Sequence, residues 1–495
     1  MTRSDCLAAA QAHFDCGAFL ETLRRRVAFP SESDVQDLPP ALAHYLEAEM
    51  RPVLQVLDFD VQVLQNPVAG AGPLLVARRI EAAALPTVLT YGHGDVVAGR
   101  PEAWSPGLSP WQLTVRDGKW YGRGTADNKG QHSINLAGLA AAIAARRGKL
   151  GYNVTVLLET GEEAGSPGLQ AFCHMHRERL RADLFIGCDG PRVQAGRPTI
   201  FLGSRGMVNF SLRLQARQRG YHSGNWGGVI ANPATRLANA VASLVDACGV
   251  MRIEGLRPDS LTPAVRAALR GIPVGGGPDD PPLTQGWGEP GLSAAERLMG
   301  WNTLEVLAMG AGTPDRPVNA IPPSAVAHCQ LRFVVGTRWR ELPNLLRSHL
   351  DAHGFEDVTI EAGMQGAATR LDIDHPWVHW ARQSMVRTCG MAPAVLPNLA
   401  GSLPNEVFAE TLGLPTLWVP HSYPACGQHG PDEHLLPGIA REGLRIMAGL
   451  YWDLGEPAAP WPAPAAGRRT GAPAQAGGSG CARAWFGGTC GPRAC

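Results

Sequence analysis

The chain has 495 residues, of which 45% are hydrophobic and 18% are charged. This length exceeds what one hydrophobic core usually organises, so we expect two domains. The 44 acidic and 44 basic residues give a formal net charge of zero. The charge therefore provides no reason to expect nucleic acid or an anionic membrane as a partner.

The first 80 residues are predicted to be helical and then to form strands. The N-terminal segment is amphipathic and lacks the unbroken apolar core of a signal peptide. The longest apolar run, 134–145, is too short to cross a bilayer. Eleven cysteines without a Cys-x-x-Cys pair indicate reduced thiols rather than a disulfide framework. We therefore predict a cytoplasmic protein with no membrane partner.

Short apolar runs, each followed by polar residues, are predicted to form buried strands. They span 86–91, 153–159, 183–187 and 414–420. Because these runs alternate with helical segments, we predict an α/β catalytic domain with a mostly parallel sheet flanked by helices. Ligands of such sheets bind beyond the carboxyl ends of the strands, so the site is predicted there.

The middle of the chain has a different pattern, with long strand-like runs, separate helices and a Gly- and Pro-rich loop over 271–291. We predict an inserted α+β lid and dimerisation domain over 206–365. The catalytic domain then consists of 1–205 and 366–456. Residues 457–495 have almost no periodicity and are predicted to be a disordered tail.

Five separate segments contain residue types that bind divalent metal ions. They are Tyr91-Gly-His93-Gly-Asp95, Gly124-Thr-Ala-Asp127-Asn-Lys-Gly130, Glu162-Glu163-Ala-Gly165, Cys188-Asp189-Gly190 and Gln428-His429-Gly-Pro431. Taken singly, each has a simpler interpretation: a polar loop, a helix cap or a solvated acidic turn. His434 lies close to His429 in sequence, so the choice between these two histidines stays open.

Charge favours a joint interpretation of these segments. Asp127, Glu163 and Asp189 would place three negative charges in one cleft, and two divalent cations with a bridging hydroxide would balance them. The adjacent Glu162 and Glu163 repel each other unless one binds metal and the other acts as a general base. Together the segments predict a dinuclear metal hydrolase that cuts amide bonds.

In this order, the segments resemble the co-catalytic zinc peptidase and deacylase family. That family includes aminoacylase, carnosine dipeptidase, glutamate carboxypeptidase, acetylornithine deacetylase and succinyl-diaminopimelate desuccinylase. The resemblance covers about residues 15–455 and implies two divalent metal ions, zinc by default, with manganese or cobalt as possible substitutes. It implies that His93 and Asp189 hold one metal, that Glu163 and His429 hold the other, and that Asp127 bridges them.

The resemblance also assigns roles beside the metals. It implies that Asp95 orients His93, that Glu162 is the general acid/base, and that the peptide bond after Asp127 is cis. His222, in Tyr221-His-Ser-Gly224, matches a lid histidine that acts across a homodimer interface on the oxyanion of the reaction.

Four further positions match segments that contact the substrate in this family. They are Asn319, Arg332, Gly401 and Ser402. The Arg332 guanidinium could clamp the carboxylate of a product amino acid. An exposed loop histidine and a strand-face ion pair are the simpler interpretations of His222 and Arg332.

The long insertion looks more like the dipeptidase branch of this family. We therefore predict cleavage of a dipeptide or small peptide through a metal-bridged hydroxide, with Glu162 as general base. Deacylation of an N-acyl amino acid is the close alternative. A non-catalytic binding protein would be expected to lack a ligand or the base. A structural metal site would be expected to use closely spaced Cys and His residues.

Overall fold

The computed structural model describes residues 1–33, 40–275, 277 and 280–462. The predicted disordered tail, 457–495, lies outside these residues from position 463 onward. Internal contacts divide the chain into two units. The first contains Met1–Leu202, Leu371–Val395 and the chain from Val407, and the second contains Gly203–Arg370 and Leu396–Glu406. The domain limits predicted at 206 and 365 stay a prediction about independently folding domains.

The first unit contains an eight-stranded sheet. The strands follow one another across it in the order Asp60–Leu64, Leu74–Arg79, Asn153–Glu159, Thr87–His93, Leu184–Gly187, Thr416–Trp418, Thr199–Phe201 and Ala394–Leu396. The third to sixth strands in this order are mutually parallel, whereas the first three pair antiparallel and Thr199–Phe201 pairs antiparallel with Thr416–Trp418. The predicted α/β class is confirmed, but the sheet is mixed because its parallel part is confined to the centre.

Helices flank this sheet. The α-helices are Arg3–Asp15, Ala18–Val27, Ala41–His44, Arg51–Val56, Lys129–Ala145, Leu169–Met175, Pro376–Cys389 and Pro437–Leu454. Small residues allow Lys129–Ala145 to pack closely on Pro437–Leu454, since a Cβ added at Gly138 would lie 2.5 Å from the Met447 side chain. None of the helices in the described ranges has the length and hydropathy needed to cross a membrane.

Shorter elements complete the first unit. They are the π-helices Tyr45–Met50 and Val407–Thr411, the 3-10 helices Pro101–Ala103 and Glu162–Ala164, and a sheet of Thr114–Arg116, Lys119–Tyr121 and His434–Leu435. The strand His434–Leu435 of this sheet lies at the end of the segment that carries His429. It therefore helps to fix that segment.

The second unit is built on a four-stranded antiparallel sheet. Its order is Thr303–Ala311, Ser324–Phe333, Gly206–Gln215 and Thr359–Gly366. The helices are Ser223–Trp226, Pro233–Leu244, Pro263–Leu269, Ala294–Met299 and Leu342–Ala352, with 3-10 helices Glu254–Leu256 and Trp339–Glu341. Alternate residues of Gly206–Gln215 are buried and form a core with Leu237 and Leu346. The period-two pattern thus places one sheet face against helices.

Two-stranded pairs complete the second unit. Tyr221–His222 pairs antiparallel with Ala320–Ile321, and Gly203–Ser204 pairs with Thr369–Arg370. The first pair brings the segment of His222 beside that of Asn319. The predicted loop over 271–291 contains neither helix nor strand at its described positions.

Candidate metal centre

The four parallel strands at the centre of the first unit end at one edge of the sheet. His93 is the last residue of Thr87–His93. Glu162 and Asp189 follow the two strands beside it, and His429 lies in the connection after Thr416–Trp418. Because parallel strands share the direction of their carboxyl ends, residues far apart in sequence meet at this edge.

His93 is fully buried and is held by the residue two positions along the chain. Its Nδ1 lies 3.1 Å from the backbone oxygen of Asp95 and 3.4 Å from the Asp95 carboxylate. Because both groups are acceptors, Nδ1 carries a ring proton, and Nε2 is the nitrogen that a cation would bind. Asp95 in turn accepts a 2.6 Å hydrogen bond from the Ser33 hydroxyl.

Asp127 lies between two imidazoles. Its Oδ1 is 3.1 Å from Nε2 of His93, and its Oδ2 is 3.2 Å from Nε2 of His429. The bond between Asp127 and Asn128 is cis, as the family resemblance implies. A carboxylate that presents one oxygen to each of two imidazole donors is suited to bridge two cations.

The remaining carboxylates lie on either side of Asp127. Glu163 Oε2 is 3.0 Å from Nε2 of His429, and Asp189 Oδ2 is 3.5 Å from Nε2 of His93. One ligand atom each from His93, Asp127 and Glu163 lie within 4.8 Å of one another. The groups thus separate into a pair with His93 and a pair with His429, joined by Asp127.

Glu162 is placed differently from Glu163. Its Oε2 lies 4.0 Å from Nε2 of His93, which is beyond hydrogen-bonding distance. Glu162 therefore borders the cluster at the limit of an ion pair with His93 and without a hydrogen bond to it. This is the placement expected of a group that handles protons instead of binding a cation.

The pKa values reflect a crowded, buried cluster. Burial, followed by the charge of Asp127, raises the pKa of Glu163 to about 7. Burial also raises the pKa of Glu162 well above its usual value and raises that of Asp189. Burial opposes ionisation of Asp127, but hydrogen bonds from His429 and His93 outweigh it and hold the Asp127 pKa well below its usual value.

The two histidines balance part of this negative charge. Hydrogen bonds with Asp127 and Glu163 raise the pKa of His429 to about 11. Burial disfavours protonated His93, but its bonds with Asp127, Asp189 and Asp95 raise its pKa well above the usual value. Within the described chain, the ion pairs of Asp127, Glu163 and Asp189 are all with histidines. Each of these carboxylates thus faces an imidazole where a divalent cation could bind, so the residues fit a two-metal site.

The structure also separates the two candidate histidines of the last segment. His429 faces Asp127 and Glu163. His434 instead contacts the Tyr423 hydroxyl through Nε2 and the Asp432 backbone oxygen through Nδ1. The geometry therefore places His429 in the cluster.

The remaining predicted residues lie in the second unit. His222 is exposed, and its Nδ1 accepts a 3.1 Å hydrogen bond from the Gly224 amide, so its ring proton lies on Nε2. The Asn319 backbone oxygen accepts a bond from the Ser223 amide at 2.9 Å. His222 and Asn319 therefore lie on the two neighbouring segments of one small antiparallel strand pair.

Arg332 and Ser402 are in direct contact in the same unit. Nη1 of Arg332 donates to the Ser402 hydroxyl at 2.8 Å, and Nε donates to the Gln330 side chain at 2.7 Å. Gly401 is exposed beside Ser402, and its backbone oxygen accepts from the Arg205 amide at 3.2 Å. Burial lowers the pKa of Arg332. The strand-face ion pair considered for Arg332 does not occur among its described contacts.

Several residues that support the site were not predicted. Asn128 accepts a bond from the His93 amide at 3.3 Å and donates to the Cys188 carbonyl at 2.8 Å. Gln428 donates to Oδ2 of Asp127 at 2.7 Å. Asn128 and Gln428 are next to predicted ligands in the sequence. This adjacency is the signal that could have identified them. Nothing in the sequence distinguishes Ser33, which meets Asp95 only through the fold.

Comparison with known proteins identifies the family. The model of peptidase family M20/M25/M40 matches residues 89–453. The chain belongs to this family. The resemblance predicted from the motifs is therefore confirmed, and this M20 family member is an enzyme of the metallopeptidase type.

Two relatives of this family member are dipeptidases. The chain is 25% identical over 431 residues to the cysteinylglycine-S-conjugate dipeptidase of Corynebacterium striatum, covering 81% of this chain and 91% of that protein. It is 31% identical over 251 residues to the Beta-Ala-His dipeptidase of Homo sapiens, covering 48% of this chain and 49% of that protein.

A solved structure of the same family has a similar fold. It is the M20 family metallo-carboxypeptidase Sso-CP2 from Sulfolobus solfataricus, with a TM-score of 0.74 and 25% identity. The similarity covers 88% of this chain and 98% of that chain. The likeness therefore extends well beyond the metal centre.

Proposed function

We propose that this M20 family member is a metal-dependent dipeptidase that hydrolyses the amide bond of an unblocked dipeptide or small peptide. The observation that carries the proposal is the position of Asp127 between His93 and His429. The dipeptidase relatives support the substrate class. They do not favour the alternative of N-acyl amino acid deacylation.

We assign two divalent cations to the centre. His93 and Asp189 would hold one, Glu163 and His429 the other, and Asp127 both. Zinc suits this set of imidazole and carboxylate ligands, and manganese or cobalt could replace it. When bound, such cations lower the pKa of a shared water and polarise the scissile carbonyl.

Glu162 is the proposed acid/base. It borders the cluster at 4.0 Å from His93 without a ligand partner. In the proposed reaction its carboxylate takes a proton from the attacking water and passes it to the leaving amine. Asp95 keeps the proton of His93 on Nδ1 throughout, so that Nε2 stays available as a ligand.

The groups that contact the substrate are proposed from the family resemblance. Arg332 has no carboxylate partner among its described contacts, so its guanidinium is available for the carboxylate of a dipeptide. Asn319, Gly401 and Ser402 are assigned to the same role from the family resemblance. His222 carries its proton on Nε2, the form needed to donate to an oxyanion.

We further propose that the protein is a homodimer in which His222 completes the site of the partner chain. The edge strand Thr303–Ala311 supports self-association because it exposes Val306, Leu307 and Met309. Exposed edge strands readily pair with another chain. The eight cysteines within the described ranges are free, which supports a reducing, cytoplasmic location.

A hydrolysis panel tests the proposal. The metal-free protein would be reconstituted separately with zinc, manganese and cobalt, and its metal content measured. It would then be assayed with Cys-Gly, β-Ala-His and other unblocked dipeptides against N-acetyl, N-succinyl and N-carbamoyl amino acids. We expect hydrolysis of dipeptides by protein that holds two metals. Turnover of the N-acyl compounds alone would refute the dipeptidase assignment.

A further inference from the structure

Glu433 is a buried carboxylate to which the reaction assigns no role. Only 1% of its surface is exposed. It lies four positions after His429, yet its hydrogen bonds go to the distant segment that ends at Asp127. This contact joins two parts of the metal centre that are far apart in the chain.

The contacts of Glu433 follow that segment residue by residue. Its backbone oxygen accepts from the Gly122 amide at 3.0 Å. Oε2 accepts from the Arg123 guanidinium at 2.8 Å and the Gly124 amide at 3.0 Å. Oε1 accepts from the amides of Ala126 and Asp127 at 2.8 and 3.0 Å. One residue therefore satisfies five donors of the turn that presents Asp127.

The turn needs an acceptor of this kind. Gly124 has a φ of 85°, in the left-handed region, and the chain curls so that successive amides point inward. Buried amides require partners. With Glu433 in place, the Asp127 amide is fixed, and so is the start of the side chain that faces both imidazoles.

The segment that carries His429 and Glu433 is equally constrained. Gly427, His429 and Asp432 all have positive φ values, of 72°, 60° and 59°. Asp432 also binds the Ser105 amide at 2.9 Å. Conformations of this kind persist where surrounding contacts hold them. His429 and Glu433 thus lie on one segment whose backbone is held by its contacts. The hydrogen bonds of Glu433 therefore fix the distance between His429 and Asp127.

We propose that Glu433 is a positioning residue that holds Asp127 opposite His429. It thereby sets the affinity of the centre for the cation assigned to Glu163 and His429. Its side chain contacts the backbone amide of Asp127 and not the Asp127 carboxylate. The inference rests on the proposed two-metal site. Groups that orient metal ligands typically change metal affinity by about 10–100-fold when they are replaced.

A purely structural role is the competing explanation, and Asp453 provides a matched control. It is a buried carboxylate of the same unit, 3% exposed. It accepts bonds from Arg3 at 2.9 Å, Ser384 at 2.6 Å and Arg387 at 2.8 Å. None of these residues contacts the metal centre. Asp453→Asn therefore removes a comparable buried charge away from the cluster.

Zinc titration of the metal-free proteins tests the proposal. Glu433→Gln places an amide N–H₂ against N–H donors, and Glu433→Asp keeps the charge but is too short to span both groups of donors. In competition with a chromophoric chelator, we expect wild type to bind two ions. We expect both Glu433 variants to bind one of the two about 10–100-fold more weakly. Cobalt titration should show the same loss as a changed absorption spectrum.

The control and the conservative variant decide between the explanations. Asp453→Asn should lower the thermal midpoint while both metal affinities stay within about two-fold of wild type. If Glu433→Gln does not fold, the charge-retaining Glu433→Asp decides. A folded Glu433→Asp with both affinities unchanged would overturn the inference, as would an equal loss of affinity in Asp453→Asn. Failure of the wild type itself to bind two ions would instead refute the metal centre.

Discussion

The Asp95 carboxylate accepts a 3.1 Å hydrogen bond from the backbone amide of Glu163. The residue that orients His93 therefore also fixes the start of the segment with two adjacent glutamates. With its backbone held in this way, Glu163 faces His429, and Glu162 is left beside the cluster without a partner in it. One hydrogen bond thus helps to give two chemically identical neighbours different placements.

Replacement of Glu162 by Gln should abolish turnover and leave the metals in place. The amide has nearly the same shape but cannot accept a proton, so we expect kcat to fall by about 10²–10⁴-fold. Metal content after dialysis should still be two ions per chain. Glu163→Gln is the matched control, and it should lose metal because its side chain faces His429. Wild-type activity in Glu162→Gln would remove the assigned role.

Replacement of Asp127 by Ala should prevent binding of two cations. Each Asp127 oxygen faces a different imidazole, so its loss weakens both sites together. We expect at most one zinc ion per chain in equilibrium titrations. Asp189→Ala, which removes a group beside His93 alone, should retain the ion at Glu163 and His429. Two tightly bound ions in Asp127→Ala would contradict a bridging role.

Mixed dimers test whether His222 acts across an interface. Glu162→Gln and His222→Ala should each be inactive alone. After subunit exchange, half of the dimers contain one site with both residues intact, so about one quarter of the wild-type activity should return. Exchange must be demonstrated independently, for example by energy transfer between labelled chains. Proven exchange without recovered activity would restrict each site to a single chain.

Three buried histidines that are kept neutral should each contribute a loss of stability in mild acid. Burial, followed by the charge of Arg26, lowers the pKa of His13 to about 4. Burial also lowers the pKa values of His132 and His421 well below the usual value. These three histidines therefore bind more protons in the unfolded chain than in the folded chain below about pH 6.5. The stability that they contribute is fully present above that pH and is lost as the pH falls toward 4.

His13→Phe isolates one part of this effect. The replacement keeps a ring beside Phe19, which His13 meets edge-on, and it cannot be protonated. Urea unfolding at about pH 7.5 and about pH 5 should show a smaller acid-induced loss of stability than in wild type, by up to about 2 kcal/mol. An identical loss in both proteins would show that His13 is protonated without cost in the folded state.

Much of the sheet that carries this site can be predicted from short apolar runs in the sequence. The strand Asn153–Glu159 has the bounds that its apolar run predicts, and Thr87–His93 extends the predicted 86–91 run to the histidine itself. Buried parallel strands have a strong local signal, because they are continuous apolar runs. The direction of those strands then places His93, Glu162 and Asp189 at one edge.

The edges of the sheet were harder to predict. The runs at Asp60–Leu64 and Leu74–Arg79 give the same strand signal whether they pair parallel or antiparallel. Pairing direction depends on which strand is the neighbour, and a short connection permits an antiparallel pair. The predicted sheet was therefore mostly parallel, whereas the folded sheet is mixed.

The sequence by itself determined the class of the fold, the family and the residue types of the metal centre, because these depend on apolar periodicity and on motifs of a few residues. Only the tertiary structure decided that His429, and not His434, faces Asp127, and that Ser33, Gln428 and Glu433 form hydrogen bonds with Asp95 and Asp127. These contacts join segments that are 62, 301 and 306 positions apart. Their geometry depends on how whole strands and turns pack together, which no local pattern encodes.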